Sequence, residues 1–229
     1  MNDRVTILTT GADAEGFEDF ELNGSVFKFR KLDAEGPTAL IDGTAWIFVD
    51  WVMEDLSGLE MCRRLRADPR TRDAHITMVL EQDDPEDRRR ALKAGADDYM
   101  FGPAGRQAIL DRILALDPSA GRRGPVQVIE AGELRIDLGA ERVRWGNKPV
   151  TLRPNEFRLL RFLAENPNRV LTRRELIDAL GKSGDPEYLR TVDVWIKRLR
   201  FGLREAGAGQ LLRTVHNKGY VFDAPPTTR

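Results

Sequence analysis

A run of chain-breaking residues between positions 117 and 125, which reads DPSAGRRGP, sets the strongest limit on how this sequence folds. Two prolines and two glycines stand among its nine residues, so it interrupts helix and strand and offers almost nothing to a core. A chain of 229 residues is long enough for two domains of common size. We therefore predict a first domain over residues 1–117, a linker over 118–125 and a second domain over 126–226.

The first half alternates short apolar runs with amphipathic helical stretches, as in a parallel sheet covered by helices on both faces. Strands are predicted at residues 5–8, 27–32, 45–49, 76–80 and 99–101. Helices are predicted at 59–67, 85–94 and 106–116, with a short one within 17–27 and a weak one over 37–41. The prediction is a doubly wound α/β domain of the (βα)5 type. In this architecture functional groups gather at the carboxyl ends of the strands, where Asp50 lies.

The second half has a different pattern, typical of an α+β domain. Four short strands at 126–129, 134–138, 142–145 and 148–152 are separated by turn residues, which indicates an antiparallel sheet. Three helices follow at 154–165, from about 172 and at about 187–205, and Thr172 with Glu175 forms a capping box at the second. A terminal hairpin is predicted from strands 211–215 and 220–222. This order of elements predicts a winged helix-turn-helix.

Charge is divided unevenly between the halves, although the net charge of the whole chain is only −1. Residues 1–120 hold 15 basic and 24 acidic side chains, whereas residues 121–229 hold 21 and 13. Such asymmetry indicates a nucleic-acid-binding half joined to a half with another duty, or two domains that attract each other by opposite charge.

Nothing in the sequence predicts export or membrane insertion. No apolar run approaches the ~20 residues of a spanning helix, and the first residues do not have the pattern of a signal peptide. Cys62 is the only cysteine and is interpreted as a reduced core thiol. We expect a cytoplasmic protein that is not an enzyme and that uses no metal and no cofactor.

The third helix of the second half has two distinct faces. An apolar stripe at spacings of four, three and four residues predicts a buried face, formed by Val192, Ile196, Leu199 and Leu203. Basic side chains occupy much of the remaining surface, namely Arg190, Lys197, Arg198, Arg200 and Arg204. A charged face is often merely solvated, but the capped helix before it and the hairpin after it favour a helix that enters the major groove of DNA. His216 and Lys218 at the hairpin tip are predicted to reach an adjacent groove or the backbone.

These residues resemble the effector domain of OmpR/PhoB-type response regulators. The resemblance covers about residues 126–223 and rests on the segments 155–160 (NEFRLL), 169–176 (RVLTRREL), 190–200 (RTVDVWIKRLR) and 214–220 (TVHNKGY). It implies contacts with double-stranded DNA from Arg190, Thr191, Lys197, Arg198, Arg200 and His216. It also implies that the loop over residues 181–186 faces RNA polymerase.

Trp195 departs from this family, which usually has a smaller polar residue or histidine at the position facing a base or sugar. Because the indole can only donate a hydrogen bond, we expect Trp195 to contact DNA mainly through van der Waals packing. The alternative is a tryptophan packed against the core of its own domain.

The first half resembles a receiver domain whose phosphorylation chemistry has been removed. Asp50 aligns with the aspartate that accepts a phosphoryl group, but the acidic pair that helps to bind Mg²⁺ after the first strand is replaced by residues 8–11 (LTTG). Leu80 stands where the family has serine or threonine, and Gly102 where it has lysine, so neither can hold a phosphoryl group. The nearby carboxylate of Glu81 would oppose one.

Two interpretations of Asp50 follow. In the first, which we favour, Asp50 is a remnant and the receiver acts without phosphorylation as a dimerisation or partner-sensing module. In the second, the chain is a conventional two-component response regulator that a kinase still phosphorylates on Asp50 with altered metal handling.

Homodimerisation is a further expectation from the resemblance. In the family, a face made of the fourth helix, fifth strand and fifth helix pairs two receivers through ion pairs, and Asp98 and Arg112 match one such pair. Tyr99 occupies the switch position of the family and is expected to be a fixed packing residue here. The interface is only partly retained, because Arg88 would face Ala108 rather than an acid.

The sequence disfavours two other classes of protein. A flavodoxin-like enzyme that binds a nucleotide or flavin is disfavoured because residues 11–16 (GADAEG) are acidic where a phosphate would bind. A protein-interaction adaptor with a vestigial helix-turn-helix is disfavoured by the basic third helix and the hairpin. The sequence therefore predicts a sequence-specific DNA-binding transcription regulator.

Overall fold

The computed structural model describes residues 3–22, 25–37, 41, 44–116, 128–182 and 186–225. The chain divides into two compact units between residues 123 and 124, within the predicted linker. The linker itself lies outside the described residues, so its exact bounds stay a prediction. No helix in the described ranges is both long enough and apolar enough to cross a bilayer.

A six-stranded sheet forms the centre of the first unit, in the order β2-β3-β1-β4-β5-β6. Its strands are β1 (Asp3–Thr9), β2 (Phe20–Leu22), β3 (Ser25–Lys31), β4 (Thr44–Asp50), β5 (His75–Leu80) and β6 (Asp98–Phe101). Five of them are parallel, and β2 alone is antiparallel to its neighbour. The helices are α1 (Gly58–Ala67), α2 (Pro85–Ala94) and α3 (Arg106–Leu116). The predicted parallel α/β class is thus confirmed.

The connection from β1 to β3 differs from the prediction. A short 3-10 helix, Ala12–Gly16, follows β1, and the strand β2 stands where a short helix was predicted within residues 17–27. Phe20 of β2 stacks on Phe27 of β3 with ring centroids 4.7 Å apart. The sequence between them contains Asn23-Gly24, the dipeptide most typical of two-residue hairpin loops, and this signal outweighs the weak helical pattern. Most of the weak helix predicted over 37–41 lies outside the described residues.

Local capping explains where α2 begins and ends. The Asp84 side chain accepts a hydrogen bond from the backbone N–H of Glu86, and Pro85 occupies the first turn of α2. Gly95 ends α2 with a φ of 113°, a left-handed conformation that suits glycine. The sequence has Pro85 at the first position of the predicted helix 85–94 and Gly95 directly after it, the places that a proline and a glycine favour. Because β4, β5 and β6 are parallel, their carboxyl ends meet at one edge of the sheet and bring residues 50–52, 79–81 and 102–103 together.

The second unit matches the predicted order of elements closely. An antiparallel sheet contains β7 (Val128–Ala131), β8 (Leu134–Asp137), β9 (Arg142–Trp145) and β10 (Lys148–Val150). The helices α4 (Pro154–Glu165), α5 (Arg173–Ala179) and α6 (Pro186–Ala206) follow, and the strands β11 (Leu212–Val215) and β12 (Gly219–Phe222) form the terminal hairpin. The capping box of Thr172 and Glu175 is present at the start of α5. The winged helix-turn-helix is thereby confirmed, and we call the β11–β12 hairpin the wing.

Candidate nucleic-acid interface and acceptor pocket

The long helix α6 buries one face in the second unit and exposes the other. Val192, Ile196, Leu199 and Leu203 are at most 1% exposed, which confirms the predicted core stripe. This face packs against α4 and α5. Because an α-helix turns every 3.6 residues, the remaining positions of α6 are left on the outside of the domain.

Three of the basic side chains of α6 that were predicted to contact DNA are accessible to a ligand. Lys197 is exposed and Arg198 is half-buried, and no hydrogen bond or ion pair joins either of them to another described residue. Arg190 exposes 74% of its side chain and meets Glu187 at 3.4 Å. An exposed pair of this kind contributes less than about 1 kcal/mol, so it does not hold Arg190 back from a phosphate.

Two other predicted DNA contacts are held within the chain. Thr191 Oγ1 donates to the carbonyl oxygen of Glu187 at 3.0 Å, one turn back along α6. Arg200 Nε donates to the carbonyl oxygen of Leu212 at 3.1 Å, and its Nη2 donates to Thr214 Oγ1 at 2.7 Å. Since these bonds tie α6 to β11, we revise the role of Arg200 from a DNA contact to a residue that positions the wing.

A polar cluster joins α5, α6 and β12. The Tyr220 hydroxyl donates to Asp193 Oδ1 at 2.7 Å, and Arg173 donates to the two oxygens of Asp193 at 2.8 and 3.2 Å. The guanidinium carbon of Arg173 also lies 5.3 Å from the centre of the Tyr220 ring. Burial raises the pKa of Asp193, but the hydrogen bonds from Arg173 and Tyr220 outweigh it and hold this pKa below its ordinary value. Burial and the bond to Asp193 raise the pKa of Tyr220. The cluster fixes the wing against α6.

The wing tip presents the predicted residues to solvent. His216 and Lys218 are exposed, and Asn217 between them adopts a left-handed conformation with φ of 57°. Gly219, which begins β12, has a φ of 150°, and a Cβ there would lie 1.9 Å from the carbonyl oxygen of Leu171. Only glycine lets β12 approach this closely.

The prediction that Trp195 faces DNA is wrong, because its side chain is only 1% exposed. Its ring centre lies 6.0 Å from that of Tyr188, and Lys182 Nζ lies 5.8 Å from it. Position 195 is three residues after Val192 and four before Leu199, so helical geometry places it beside the core stripe. The indole Nε1 has no hydrogen-bond partner among the described residues. The structure has the alternative arrangement, in which Trp195 packs against the core of its own domain.

The sequence reasoning missed an apolar side chain on the exposed face of α6. Val194 is 45% exposed, one turn from Lys197 and Arg198. Aliphatic side chains in a DNA groove contact the methyl group of thymine. The signal available in the sequence was an apolar residue outside the stripe of buried positions.

Asp50, at the end of β4, is held by a threonine rather than by acidic neighbours. The backbone N–H of Asp50 donates to Thr10 Oγ1 at 2.8 Å, and that hydroxyl donates to Asp50 Oδ2 at 3.0 Å. Burial raises the pKa of Asp50, and the hydrogen bond from Thr10 offsets part of this rise. The acceptor position is therefore intact, but its partner is a neutral hydroxyl.

The position that ends β5 and the position that follows β6, Leu80 and Gly102, offer neither a hydroxyl nor a cation to a phosphoryl group. Leu80 is 1% exposed at the end of β5. Gly102 has a φ of 77°, and a Cβ built there would meet nothing within 4 Å. Within the described ranges, no three His, Cys, Asp or Glu side chains come close enough together to hold a metal ion. Since Mg²⁺ prefers about six oxygen ligands, the residues present do not fit the ion that a receiver implies.

The ion pair expected between two protomers forms within one chain. Arg112 Nε and Nη2 donate to the two carboxylate oxygens of Asp98 at 2.7 and 2.6 Å, and Nη2 also reaches the carbonyl oxygen of Tyr99 at 3.3 Å. Asp98 is completely buried. Asp98 and Arg112 therefore neutralise each other within one chain, and a contact of this pair with a second protomer stays a prediction. Tyr99 is buried and packs near Phe101, with ring centroids 5.8 Å apart.

Comparison with known proteins gives consistent matches in both units. Residues 42–114 match the response regulator receiver domain, and residues 147–222 match the family described as transcriptional regulatory protein, C terminal. The chain is 35% identical over 221 residues to the phosphate regulon transcriptional regulatory protein PhoB of Rhizobium meliloti, covering 95% of this chain and 93% of that protein. It is 34% identical over 176 residues to PhoB of Escherichia coli K12, covering 77% of each.

A solved structure of a RitR mutant is similar over 97% of this chain and 99% of that chain, with a TM-score of 0.56 and 19% identity, which shows a shared fold alone. The sequence relatives are transcriptional regulators, and their similarity extends over both units. With a receiver followed by a C-terminal regulatory domain, the chain is a DNA-binding transcription regulator of the response-regulator type. It belongs to the OmpR/PhoB family of response regulators.

Proposed function

We propose that this chain binds specific double-stranded DNA sites through α6 and the wing, and that its receiver controls this binding without accepting a phosphoryl group. The observation that carries the second part is the surroundings of Asp50. A receiver needs oxygen ligands for Mg²⁺, a hydroxyl and a cation around its acceptor aspartate. Here Thr10, Leu80 and Gly102 stand at these places.

The DNA interface in this proposal has three kinds of contact. Arg198 and Val194 read base edges in the major groove, through guanine acceptors and thymine methyl groups respectively. Lys197 and Arg190 bind phosphates, and Thr191 accompanies them at the first turns of α6. His216 and Lys218 on the wing contact an adjacent groove or the backbone. The exposure of these side chains and the positive charge of this half support the assignment.

The receiver is proposed to pair two copies of the chain. Besides the Asp98–Arg112 pair, the face formed by α2, β6 and α3 presents Phe101, an apolar side chain that is 43% exposed. Sedimentation of the wild type and of Phe101→Glu tests this, and a dimer that survives the substitution would place the interface elsewhere. RNA polymerase is the second proposed protein partner, and residues 183–185 of its predicted contact loop lie outside the described residues. A DNA target places the protein in the cytoplasm.

The DNA-binding part is tested by selecting bound sites from random duplexes and then measuring affinity for the best site. Replacing Arg198 by alanine should weaken binding by about 1–3 kcal/mol and relax preference at one base position. Replacing Lys197 by alanine should weaken all sequences alike and make the affinity less sensitive to salt. Arg135→Ala, an exposed arginine on β8, is the matched control. Equal binding by all three variants would refute the assignment of α6.

The phosphorylation part is tested by incubating the full chain and Asp50→Ala with ³²P-labelled acetyl phosphate or a cognate kinase in the presence of Mg²⁺. We expect no stoichiometric labelling of either protein, and unchanged DNA affinity of Asp50→Ala. Stoichiometric labelling that disappears in Asp50→Ala would establish the conventional mechanism instead.

A further inference from the structure

The edge of the receiver sheet where β4, β5 and β6 end contains a cleft of about 380 Å³. Its walls are residues 50–52, 79–81 and 102–103. Small-molecule sites commonly have volumes of roughly 300–1,000 Å³ and, in open α/β sheets, lie at the carboxyl ends of the strands. In a phosphorylatable receiver this space serves a phosphoryl group and its metal. Here it is left without that use.

The charge of the cleft selects against anions. Two acidic side chains, Asp50 and Glu81, line it, and no basic side chain does. At Gly102 the lining has no side chain, and nothing lies within 4 Å of the Cβ position. A negatively charged ligand would therefore lie near two carboxylates with no basic side chain among the lining residues, whereas a positively charged ligand would be attracted by both.

The walls favour a ligand with an apolar body. Val79, Leu80 and Pro103 contribute aliphatic surface, and Val52 is 62% exposed at the rim. Trp51 adds an aromatic ring, over which the guanidinium carbon of Arg90 lies at 5.3 Å. Arg90 thus already places one cation against the electron-rich indole, and the body of a ligand would pack against the part of the ring that lines the cleft.

A metal ion is a poorer occupant than an organic cation. Mg²⁺ and Ca²⁺ require six or more oxygen ligands, but the cleft provides two carboxylates, and Asp50 Oδ2 already accepts a hydrogen bond from Thr10. In the described part of the chain no cluster of three metal-binding side chains is present. An ammonium group needs only a few acceptors and gains from apolar contact as well.

We propose that this cleft is a ligand site for a small organic ammonium ion with an aromatic or aliphatic body. The ammonium group lies between Asp50 and Glu81, and the body packs against Trp51, Val79 and Pro103. The inference rests on the proposed function, because a receiver that accepts no phosphoryl group leaves this cleft open to another ligand.

The test uses three probes of nearly equal size and different charge: phenethylamine, phenethyl alcohol and phenylacetate. Each is titrated into the ¹⁵N-labelled full chain at neutral pH, and the shift of the Trp51 indole N–H is followed. Because a desolvated carboxylate and an aromatic face both favour the ammonium ion, we expect it to bind at least about tenfold more tightly than the alcohol. Phenylacetate should not bind measurably.

Charge-neutral variants locate the site. Asp50→Asn and Glu81→Gln should each weaken binding of phenethylamine by about fivefold or more. The control is Glu21→Gln, which should leave binding unchanged because Glu21 is an exposed acid on β2, the outermost strand on the side of the sheet away from β6. Glu81 is exposed, so its substitution leaves the fold intact even if Asp50→Asn does not. Equal binding of the amine and the alcohol, or an affinity insensitive to Glu81→Gln, would overturn the proposal, as would displacement of the amine by equimolar Mg²⁺.

The outcome of the amine titration can be distinguished from the outcome of the phosphorylation test. Labelling of Asp50 by acetyl phosphate would defeat the proposed function whatever the amine does. A chain that takes up no label and shows no preference for the ammonium ion would retain the proposed function and lose only this ligand site.

Discussion

Trp195 provides the sharpest test of how α6 is oriented, because the family pattern places it against DNA and the structure places it in the core. We compare Trp195→Phe with Trp195→Ala and with Arg198→Ala. If the indole is buried, Trp195→Ala should lower the stability of the second domain, and neither substitution at position 195 should change the intrinsic affinity for DNA. Arg198→Ala should do the reverse.

The expected magnitudes follow from the burial of the side chain. Trp195 is 1% exposed, and truncating a large buried aromatic residue to alanine costs about 3–5 kcal/mol. Phenylalanine keeps most of the packing, so Trp195→Phe loses on the order of 1–2 kcal/mol of it. This loss is offset because the substitution removes the buried Nε1 donor, whose lack of a partner costs about 1–3 kcal/mol. Trp195→Phe should therefore have nearly wild-type stability.

The assay combines calorimetric unfolding of the full chain with fluorescence anisotropy on the selected duplex at a fixed salt concentration. We expect Trp195→Phe to bind within about twofold of the wild type, and Arg198→Ala to lose about tenfold or more with no change in unfolding temperature. If Trp195→Phe unfolds like the wild type but loses tenfold in affinity, the indole contacts DNA and the reasoning from burial is refuted.

Three further predictions concern stability. Gly219→Ala should destabilise the second domain by at least about 3 kcal/mol in denaturant unfolding, because its Cβ would overlap the Leu171 carbonyl oxygen at 1.9 Å; a smaller loss would mean that β12 can move away. Arg112→Met should cost the receiver about 3 kcal/mol, since it leaves the buried Asp98 carboxylate without its cation, and an unchanged receiver transition would contradict this. Asp193→Asn should lower the melting temperature of the second domain at neutral pH. In the folded chain the pKa of Asp193 is below its ordinary 3.8, so the carboxylate stabilises the domain above that pH and loses this effect as it becomes protonated. The difference in melting temperature between Asp193→Asn and the wild type should therefore vanish as the pH falls below 3.8, and a difference that persists in acid would contradict the prediction.

The parts of the fold that the sequence predicted correctly are those specified by local signals. The capping box at Thr172, the glycine after α2 and the four-residue spacing along α6 each act within one or two turns of chain. The charge asymmetry and the family motifs then indicated which domain binds DNA. The strand β2 was not predicted, because residues 17–27 contain two competing signals. A weak helical pattern indicated a helix, whereas the dipeptide Asn23-Gly24 is typical of a hairpin loop.

The site residues were predicted less well, since a sequence position does not state which way a side chain points. Arg198 and Arg200 are two residues apart on one helix, but only Arg200 donates hydrogen bonds to the wing, to the carbonyl oxygen of Leu212 and to Thr214 Oγ1. Nothing near Arg200 in the chain indicates this contact, because its partners lie on the wing.

By itself, the sequence determined that two domains follow one another, and that one carries a doubly wound parallel sheet and the other a basic helix before a hairpin. It also motivated the proposal that the receiver works without a phosphoryl group. Only the tertiary structure decided that Trp195 is buried, that Asp98 takes its cation from its own chain, and that Thr10 holds Asp50. The reason is that periodicity and composition act over a few residues, whereas burial and pairing depend on distant segments that meet only when the chain has folded.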